Sequence, residues 1–169
     1  MPEDAPPLLS ALFVPPPQIS PDGTALLYLS DKNNLYAVDR KTGEVTLHLD
    51  FEEVITDKIR ILGVACWSSD GTKIRFVMKV TQDVGNHVPT FFTIERDGSN
   101  LRELFTLPNF KFTGYWTCSP NNKEMIFSVP VSDDPENAGL YIVDLDQQDW
   151  WQVLSSYSVW QVRAVPNQP

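Results

Sequence analysis

The sequence Ser20-Pro21-Asp22-Gly23, followed closely by the apolar run Leu26-Leu27-Tyr28-Leu29, decides the fold. Proline fixes φ at the first central position of a turn, and aspartate and glycine tolerate the positions that follow. A short apolar run directly after such a turn is typical of a β-strand. The stretch therefore predicts a chain reversal that leads into a strand.

The same pattern occurs twice more along the chain. Ser68-Ser69-Asp70-Gly71 precedes an apolar run over Ile74–Val77, and Ser119-Pro120-Asn121-Asn122 precedes another over Met125–Val129. The three serines are 48 and 51 residues apart. A period of this size with four short strands in each unit is typical of a β-propeller blade. An ordinary β-sandwich has strands but does not repeat this register.

A second feature repeats in phase with the turns. The third strand of each unit is predicted over Leu35-Tyr36-Ala37-Val38-Asp39, Phe91-Phe92-Thr93-Ile94-Glu95 and Leu140-Tyr141-Ile142-Val143-Asp144. Each segment is aromatic near its start and ends on a carboxylate at the entrance to a turn. We therefore predict an all-β fold of three four-stranded antiparallel units, plus the first strand of a fourth.

The repeats divide the chain into five segments. These are a Pro-rich leader (1–17), a first blade with its linker (18–58), a second blade (59–109), a third blade (110–155), and the inner strand of a further blade or a swapped latch strand (156–169). Propellers typically close with four to eight blades, so three blades leave the ring open. Two interpretations follow: the chain is part of a longer propeller, or two chains close a six-bladed ring as a homodimer.

The motif Ile19-Ser20-Pro21-Asp22-Gly23, with Leu35–Asp39 behind it, resembles the TolB-type, WD40-like propeller repeat over residues 18 to 154. The second copy departs from that pattern at Ser69, and the third at Asn121-Asn122. The opening Leu8-Ser10-Leu12-Phe13 also resembles the start of prolyl-oligopeptidase-type propellers, which cover an α/β-hydrolase domain and restrict access to it. This resemblance implies an alternative function, as the propeller part of a prolyl-oligopeptidase-like hydrolase or of a related enzyme that acts on peptides or sugars.

Composition and charge exclude several classes of partner. The hydrophobic fraction of 42% is typical of a globular domain, and the net charge of −9 argues against nucleic-acid or anionic membrane partners. No segment is long and apolar enough to span a bilayer, and the acidic amino end does not resemble a signal peptide. We therefore expect a cytoplasmic protein, or a periplasmic one if a signal peptide has been removed.

The two cysteines fall at different positions of their repeats. Cys66 lies two residues before Ser68, whereas Cys118 lies one residue before Ser119. Adjacent strand positions face opposite sides of a sheet, so we expect free thiols rather than a disulfide if both repeats share one register. Free buried thiols are typical of a reducing compartment.

Candidate catalytic and metal-binding groups are few. The sequence has no Gly-x-Ser-x-Gly motif and two histidines: His48 in a predicted outer strand, and His87 in a predicted loop over Thr81–Pro89 that also holds Asp83. The acidic segment Asp133-Asp134-Pro135-Glu136-Asn137 offers oxygen ligands but lacks the spacing of a calcium loop, which favours a solvated loop. We therefore predict no catalytic residues, no cofactor and no metal.

The remaining candidates are binding residues. The predicted loops 81–89 and 130–139 connect equivalent strands and should emerge on one face, so His87, Asp83, Asp133 and Asp134 are candidates for a binding face. Candidate interface residues are Trp150, Trp151 and Trp160. Adjacent strand residues face opposite sides, so Trp150 and Trp151 cannot both lie on the face that their blade shares with its other core residues. The tryptophan on the other face either anchors a partner or covers the neighbouring sheet. The sequence thus predicts a non-catalytic module for protein–protein interaction or self-association.

Overall fold

The computed structural model describes residues 16–30, 34–50, 59–83, 86–108, 110 and 115–155 of the 169-residue chain. Within these ranges it has twelve β-strands and no helix, and hence no helix suited to cross a membrane. The predicted leader up to Pro15, most of the linker, and the predicted further strand with Trp160 lie outside the described residues. The prediction of three four-stranded antiparallel units is confirmed.

Each sheet is a meander whose hydrogen-bonded strands follow in chain order. The first sheet consists of β1 (Gln18–Ile19), β2 (Ala25–Leu29), β3 (Leu35–Asp39) and β4 (Val45–Leu49). The second consists of β5 (Ile59–Trp67), β6 (Lys73–Asp83), β7 (Asn86–Glu95) and β8 (Arg102–Thr106). The third consists of β9 (Trp116–Cys118), β10 (Glu124–Val129), β11 (Gly139–Asp144) and β12 (Asp149–Ser155).

The repeated turn is held by its serine. In the first repeat, Ser20 Oγ donates to Asp22 Oδ1 at 2.6 Å and accepts a hydrogen bond from the backbone N–H of Ala25 at 2.9 Å. Ser68 makes the same pair of contacts in the second repeat, and Ser119 makes it in the third. In the third repeat the acceptor is the amide oxygen of Asn121, at the same distance of 2.6 Å. This explains why the turn tolerates the departures from Ser-Pro-Asp-Gly.

The second sheet is packed on both of its faces. One face contributes Trp67, Ile74 and Phe76 to a core shared with the first sheet. The other face contributes Val77 and Phe91 to a core shared with the third sheet. Propeller blades, which are four-stranded sheets repeated around an axis, stack face to face in this way.

The predicted loop over Thr81–Pro89 is wrong in its bounds. The β6–β7 pairing continues through Val80↔Val88 and Thr81↔His87 to Asp83↔Asn86. The buried Val88 pairs with Val80, and this apolar pair carries the ladder into the polar segment that had suggested a loop. Pro89 pairs with Lys79 in this ladder, and its carbonyl accepts a hydrogen bond from the backbone N–H of Leu107.

The prediction of free thiols is also wrong, because Cys66 and Cys118 form a disulfide with their Cα atoms 6.2 Å apart. The two cysteines do face opposite sides of their own sheets, as the register indicated. In a stack of sheets, however, each interface is formed by opposite faces of two neighbouring sheets: the face of the second sheet that points towards the third, and the face of the third sheet that points back towards the second. Opposite orientation therefore brings Cys66 and Cys118 together across the interface between the second and third sheets.

Candidate functional site

The first sheet leaves one face without a packed sheet among the described residues. Along β2 the fully packed residues Ala25, Leu27 and Leu29 face the second sheet and alternate with the partly exposed Leu26 and Tyr28. The residues that pair with Leu26 and Tyr28 on the neighbouring strands lie on the same side of the sheet. We call the resulting surface the leading face; it consists of Ile19, Leu26, Tyr28, Tyr36, Val38, Val45 and His48.

Aromatic rings form a continuous stack on the leading face. The ring centroids of Tyr28 and Tyr36 are 5.1 Å apart, and those of Tyr36 and His48 are 4.6 Å apart, both in near-parallel stacking. Partial burial and the neighbouring Tyr36 raise the pKa of Tyr28, so its hydroxyl stays neutral at physiological pH. The result is a flat aromatic surface that runs across three strands.

The third sheet has an equivalent surface, on the side away from the second sheet, that no sheet covers in the described part of the chain. Here Met125, Phe127 and Val143 are buried against the second sheet, and the residues between them point away from it. The pairs Thr117↔Ile126, Ile126↔Ile142 and Ile142↔Trp151 form one row, and Ser128↔Leu140 and Leu140↔Leu154 form another. We call this surface the trailing face; it consists of Thr117, Ile126, Ser128, Leu140, Ile142, Trp151 and Leu154, with the paired carboxylates of Glu124 and Asp144 at one edge.

The two adjacent tryptophans lie on opposite sides of β12. The Trp150 ring packs edge-on against Phe110, with centroids 4.8 Å apart, on the side that faces the second sheet. Trp151 pairs with Ile142 on the trailing face and is 42% exposed. Trp151 is therefore the large aromatic side chain available on this face.

A polar cluster connects the first and second sheets at one edge of their interface. Arg96 donates from Nη1 to Asp22 Oδ2 and from Nη2 to Thr24 Oγ1, both at 2.7 Å, and its guanidinium lies 5.3 Å from the ring centroid of Trp67. Hydrogen bonds from Ser20, then Thr24 and Arg96, hold the pKa of Asp22 far below its ordinary value. The Ser-Pro-Asp-Gly turn thus links one blade to the next.

Of the predicted binding-face residues, Asp83 and His87 lie in the paired strands β6 and β7, whereas Asp133 and Asp134 lie in the connection between β10 and β11. His87 Nδ1 is 2.9 Å from Thr81 Oγ1 across the β6–β7 hairpin, and Asp83 lies at the end of β6. Asp134 is buried and accepts hydrogen bonds from the side-chain and backbone nitrogens of Asn137, so it stabilises its own loop. Asp133 is exposed next to Ser132.

Within the described ranges these residues do not assemble into a reactive centre. No group of three or more His, Cys, Asp or Glu side chains in this part of the chain is arranged to hold a metal ion. The ring of His48 is stacked on Tyr36, and both cysteines are disulfide-bonded.

The leading and trailing faces were not predicted as a site, although the sequence contains a signal for them. Leu26-Leu27-Tyr28-Leu29 is apolar at consecutive positions, which indicates a strand covered on both faces rather than on one. Ile142-Val143 gives the same signal in the third sheet.

No protein-family model matches the chain, and no curated protein matches it. Solved structures do match. An oligogalacturonate lyase in complex with manganese is 18% identical with a TM-score of 0.56, over 81% of this chain and 39% of that one. Hydrazine synthase of Kuenenia stuttgartiensis is 18% identical with a TM-score of 0.52, over 88% and 42%. The Cps50 (Swd1) β-propeller domain of Myceliophteria thermophila is 14% identical with a TM-score of 0.51, over 82% and 40%.

These likenesses show the fold: the chain is built of β-propeller blades, as the repeat predicted. The chain spans about two fifths of the length of each of these structures.

Proposed function

We propose that this β-propeller chain is a non-catalytic module that acts through protein–protein contact, and that its leading and trailing faces each bind another propeller blade. The observation that carries the proposal is the pair of largely apolar faces, at the two ends of the three-sheet stack, on which no sheet packs among the described residues. Contiguous apolar surfaces of this kind mark interaction sites when they remain on a folded domain.

The repeat itself indicates what the two faces fit. Leu26 on the leading face occupies the repeat position of Ile74 and Met125, which are both fully buried against a preceding sheet. Ile126 on the trailing face occupies the position of Leu27, which is buried against a following sheet. Both open faces therefore carry the residue types that, elsewhere in the chain, pack blade against blade.

A second copy of the chain is the simplest source of the missing blades. Two chains of three sheets give six, within the range of four to eight at which propellers close. The leading face of each copy would then pack on the trailing face of the other, around a two-fold axis. The ring would bury Trp151, an aromatic residue of the kind that dominates binding energy at interfaces.

The molar mass in solution tests this proposal. We expect twice the chain mass of 19.1 kDa by light scattering at micromolar concentration. Trp151→Glu should give a monomer with an unchanged β-sheet circular dichroism spectrum, because a charge cannot be buried in the interface. Val131→Glu is the matched control, since Val131 is also exposed but lies outside both faces. A monomeric wild-type protein, or a Trp151→Glu variant that still dimerises, would contradict the proposal.

The disulfide also bears on the cellular compartment in which the protein is found. Structural disulfides persist in oxidising compartments and are rare in the cytosol. The Cys66–Cys118 bond therefore supports the periplasmic alternative over the cytoplasmic one. Cell fractionation with a carboxy-terminal tag tests this, and recovery in the cytoplasm with both thiols reduced would exclude it.

A further inference from the structure

We infer that Arg40 of one copy lies over the Asn121 turn in the third sheet of a second copy. We call this contact the corner of the dimer interface, and Asn121 and Lys123 make it weak. The inference rests on the proposed function, and it specifies the register in which the leading and trailing faces meet.

Arg40 and Arg96 occupy equivalent places in neighbouring sheets. Each directly follows the carboxylate that ends its third strand, Asp39 or Glu95. The backbone N–H of Arg40 donates to the carbonyl of Thr24, and that of Arg96 donates to the carbonyl of Thr72, both at 2.9 Å. The two side chains therefore leave their sheets at the same point and on the same side.

The two arginines differ in what they meet. Arg96 extends across the interface to Asp22 and Thr24 of the preceding sheet. No preceding sheet lies beside the first sheet in the described part of the chain, and Arg40 instead donates to the carbonyl of Gly23 in its own sheet at 2.7 Å. When another blade packs on the leading face, Arg40 is placed to make the contact that Arg96 already makes.

In a six-bladed ring of two copies, the sheet that precedes the first sheet is the third sheet of the other copy. At the repeat position of Asp22 that sheet has Asn121, and at the position of Thr24 it has Lys123. Asn121 keeps the turn intact through Ser119 but carries no negative charge. Arg40 thus meets a neutral amide and a nearby lysine, where Arg96 meets a carboxylate and a hydroxyl.

The test restores the favourable pair. Asn121→Asp together with Lys123→Thr gives the third repeat the acceptors that Arg96 uses in the first repeat. We expect this double variant to lower the dimer dissociation constant about fivefold to thirtyfold, since each ring contains the corner twice and exposed charge pairs contribute modestly. Adding Arg40→Ala should remove the gain, whereas Arg40→Ala alone should change the wild-type constant less than about twofold.

Analytical ultracentrifugation over a concentration series separates the outcomes. A dimer whose dissociation constant does not respond to the double variant, or responds equally without Arg40, overturns the register and leaves self-association standing. A chain that stays monomeric in both forms overturns the register and the proposed function together. An Arg40-dependent tightening supports both.

Discussion

Arg96 of the second sheet donates to Asp22 of the first sheet at 2.7 Å while its guanidinium lies 5.3 Å from the centre of the Trp67 ring. The contact joins two blades across 74 residues of sequence. It uses the aspartate of the repeated turn, so the motif that reverses the chain within one blade also holds the next blade in place.

Replacing Arg96 with alanine should destabilise the protein through this interface. Loss of the cation–π contact with Trp67 alone is expected to cost about 0.5–1 kcal/mol, and loss of the pairing with Asp22 adds to it. Urea denaturation followed by tryptophan fluorescence measures the change. Arg102→Ala is the control, because Arg102 is an exposed residue of β8. Equal effects of the two substitutions would contradict the role given to Arg96.

The aspartate of the second repeat should make stability depend on acid pH. Hydrogen bonds from Ser68 and Thr72 lower the pKa of Asp70 to about 2, from an ordinary value of 3.8. Because the folded-state pKa is the lower one, the stabilisation is present above about pH 4 and is lost as the pH falls towards 2.

Asp70→Asn tests this dependence with little disturbance, since Asn121 already fills the same position in the third repeat. The variant should have a lower urea midpoint than the wild type at pH 7, because asparagine lacks the charge that stabilises the folded state there, and the two should converge near pH 2. Between pH 4 and pH 2 it should lose less stability than the wild type in urea titrations. An unchanged slope in this window would mean that Asp70 is not the titrating group.

Reduction of the disulfide should destabilise the folded protein. The bond closes a segment of 52 residues, for which the chain-entropy model gives about 4 kcal/mol. Urea denaturation with and without dithiothreitol measures the difference, and the Cys66→Ala/Cys118→Ala variant should be insensitive to the reductant. Thiol titration of the unfolded, unreduced protein should detect no free cysteine. Two reactive thiols would contradict the bond.

Two glycines with similar backbone angles should differ in their tolerance of alanine. Gly43 has φ +76° with open space around it, whereas a Cβ on Gly98, at φ +85°, would lie 2.9 Å from Leu47 Cδ1 in the first sheet. Gly43→Ala should cost about 1–2 kcal/mol from backbone strain alone. Gly98→Ala should cost about 1–3 kcal/mol more, because it also overpacks the interface. Equal thermal shifts in the two variants would exclude the contribution of Leu47.

Sequence periodicity was sufficient to predict the blades because it depends on local chemistry. The strand Leu35–Asp39 has the predicted bounds, and the predicted apolar run Met125–Val129 lies within β10. The turn before β10 is set by neighbouring residues, through the hydrogen bonds that Ser119 makes with Asn121 and Glu124.

Relationships between blades were harder to predict because they depend on stacking. The orientation of Cys66 was deduced correctly within its own sheet, but its bond to Cys118 requires knowing which faces meet. The partner of Arg96 is likewise separated from it by a whole repeat. His87 and Asp134 were identified from the sequence as loop residues. Their actual contacts, the pairing of His87 with Thr81 in a hairpin and the hydrogen bond of Asp134 with Asn137, were not predictable from it.

The second sheet, covered on both sides, gives the molecule a graded resistance to local opening. Amide protons of β6 and β7 are protected by their own ladder and by packing from two neighbours, whereas those of β4 and β12 lie in strands at the outer edges of their sheets. Hydrogen exchange should therefore be slowest at the middle of the stack and fastest in these outer strands. Association through the leading and trailing faces would cover the second side of the first and third sheets and slow exchange in their central strands β2, β3, β10 and β11, while β4 and β12 would remain edge strands.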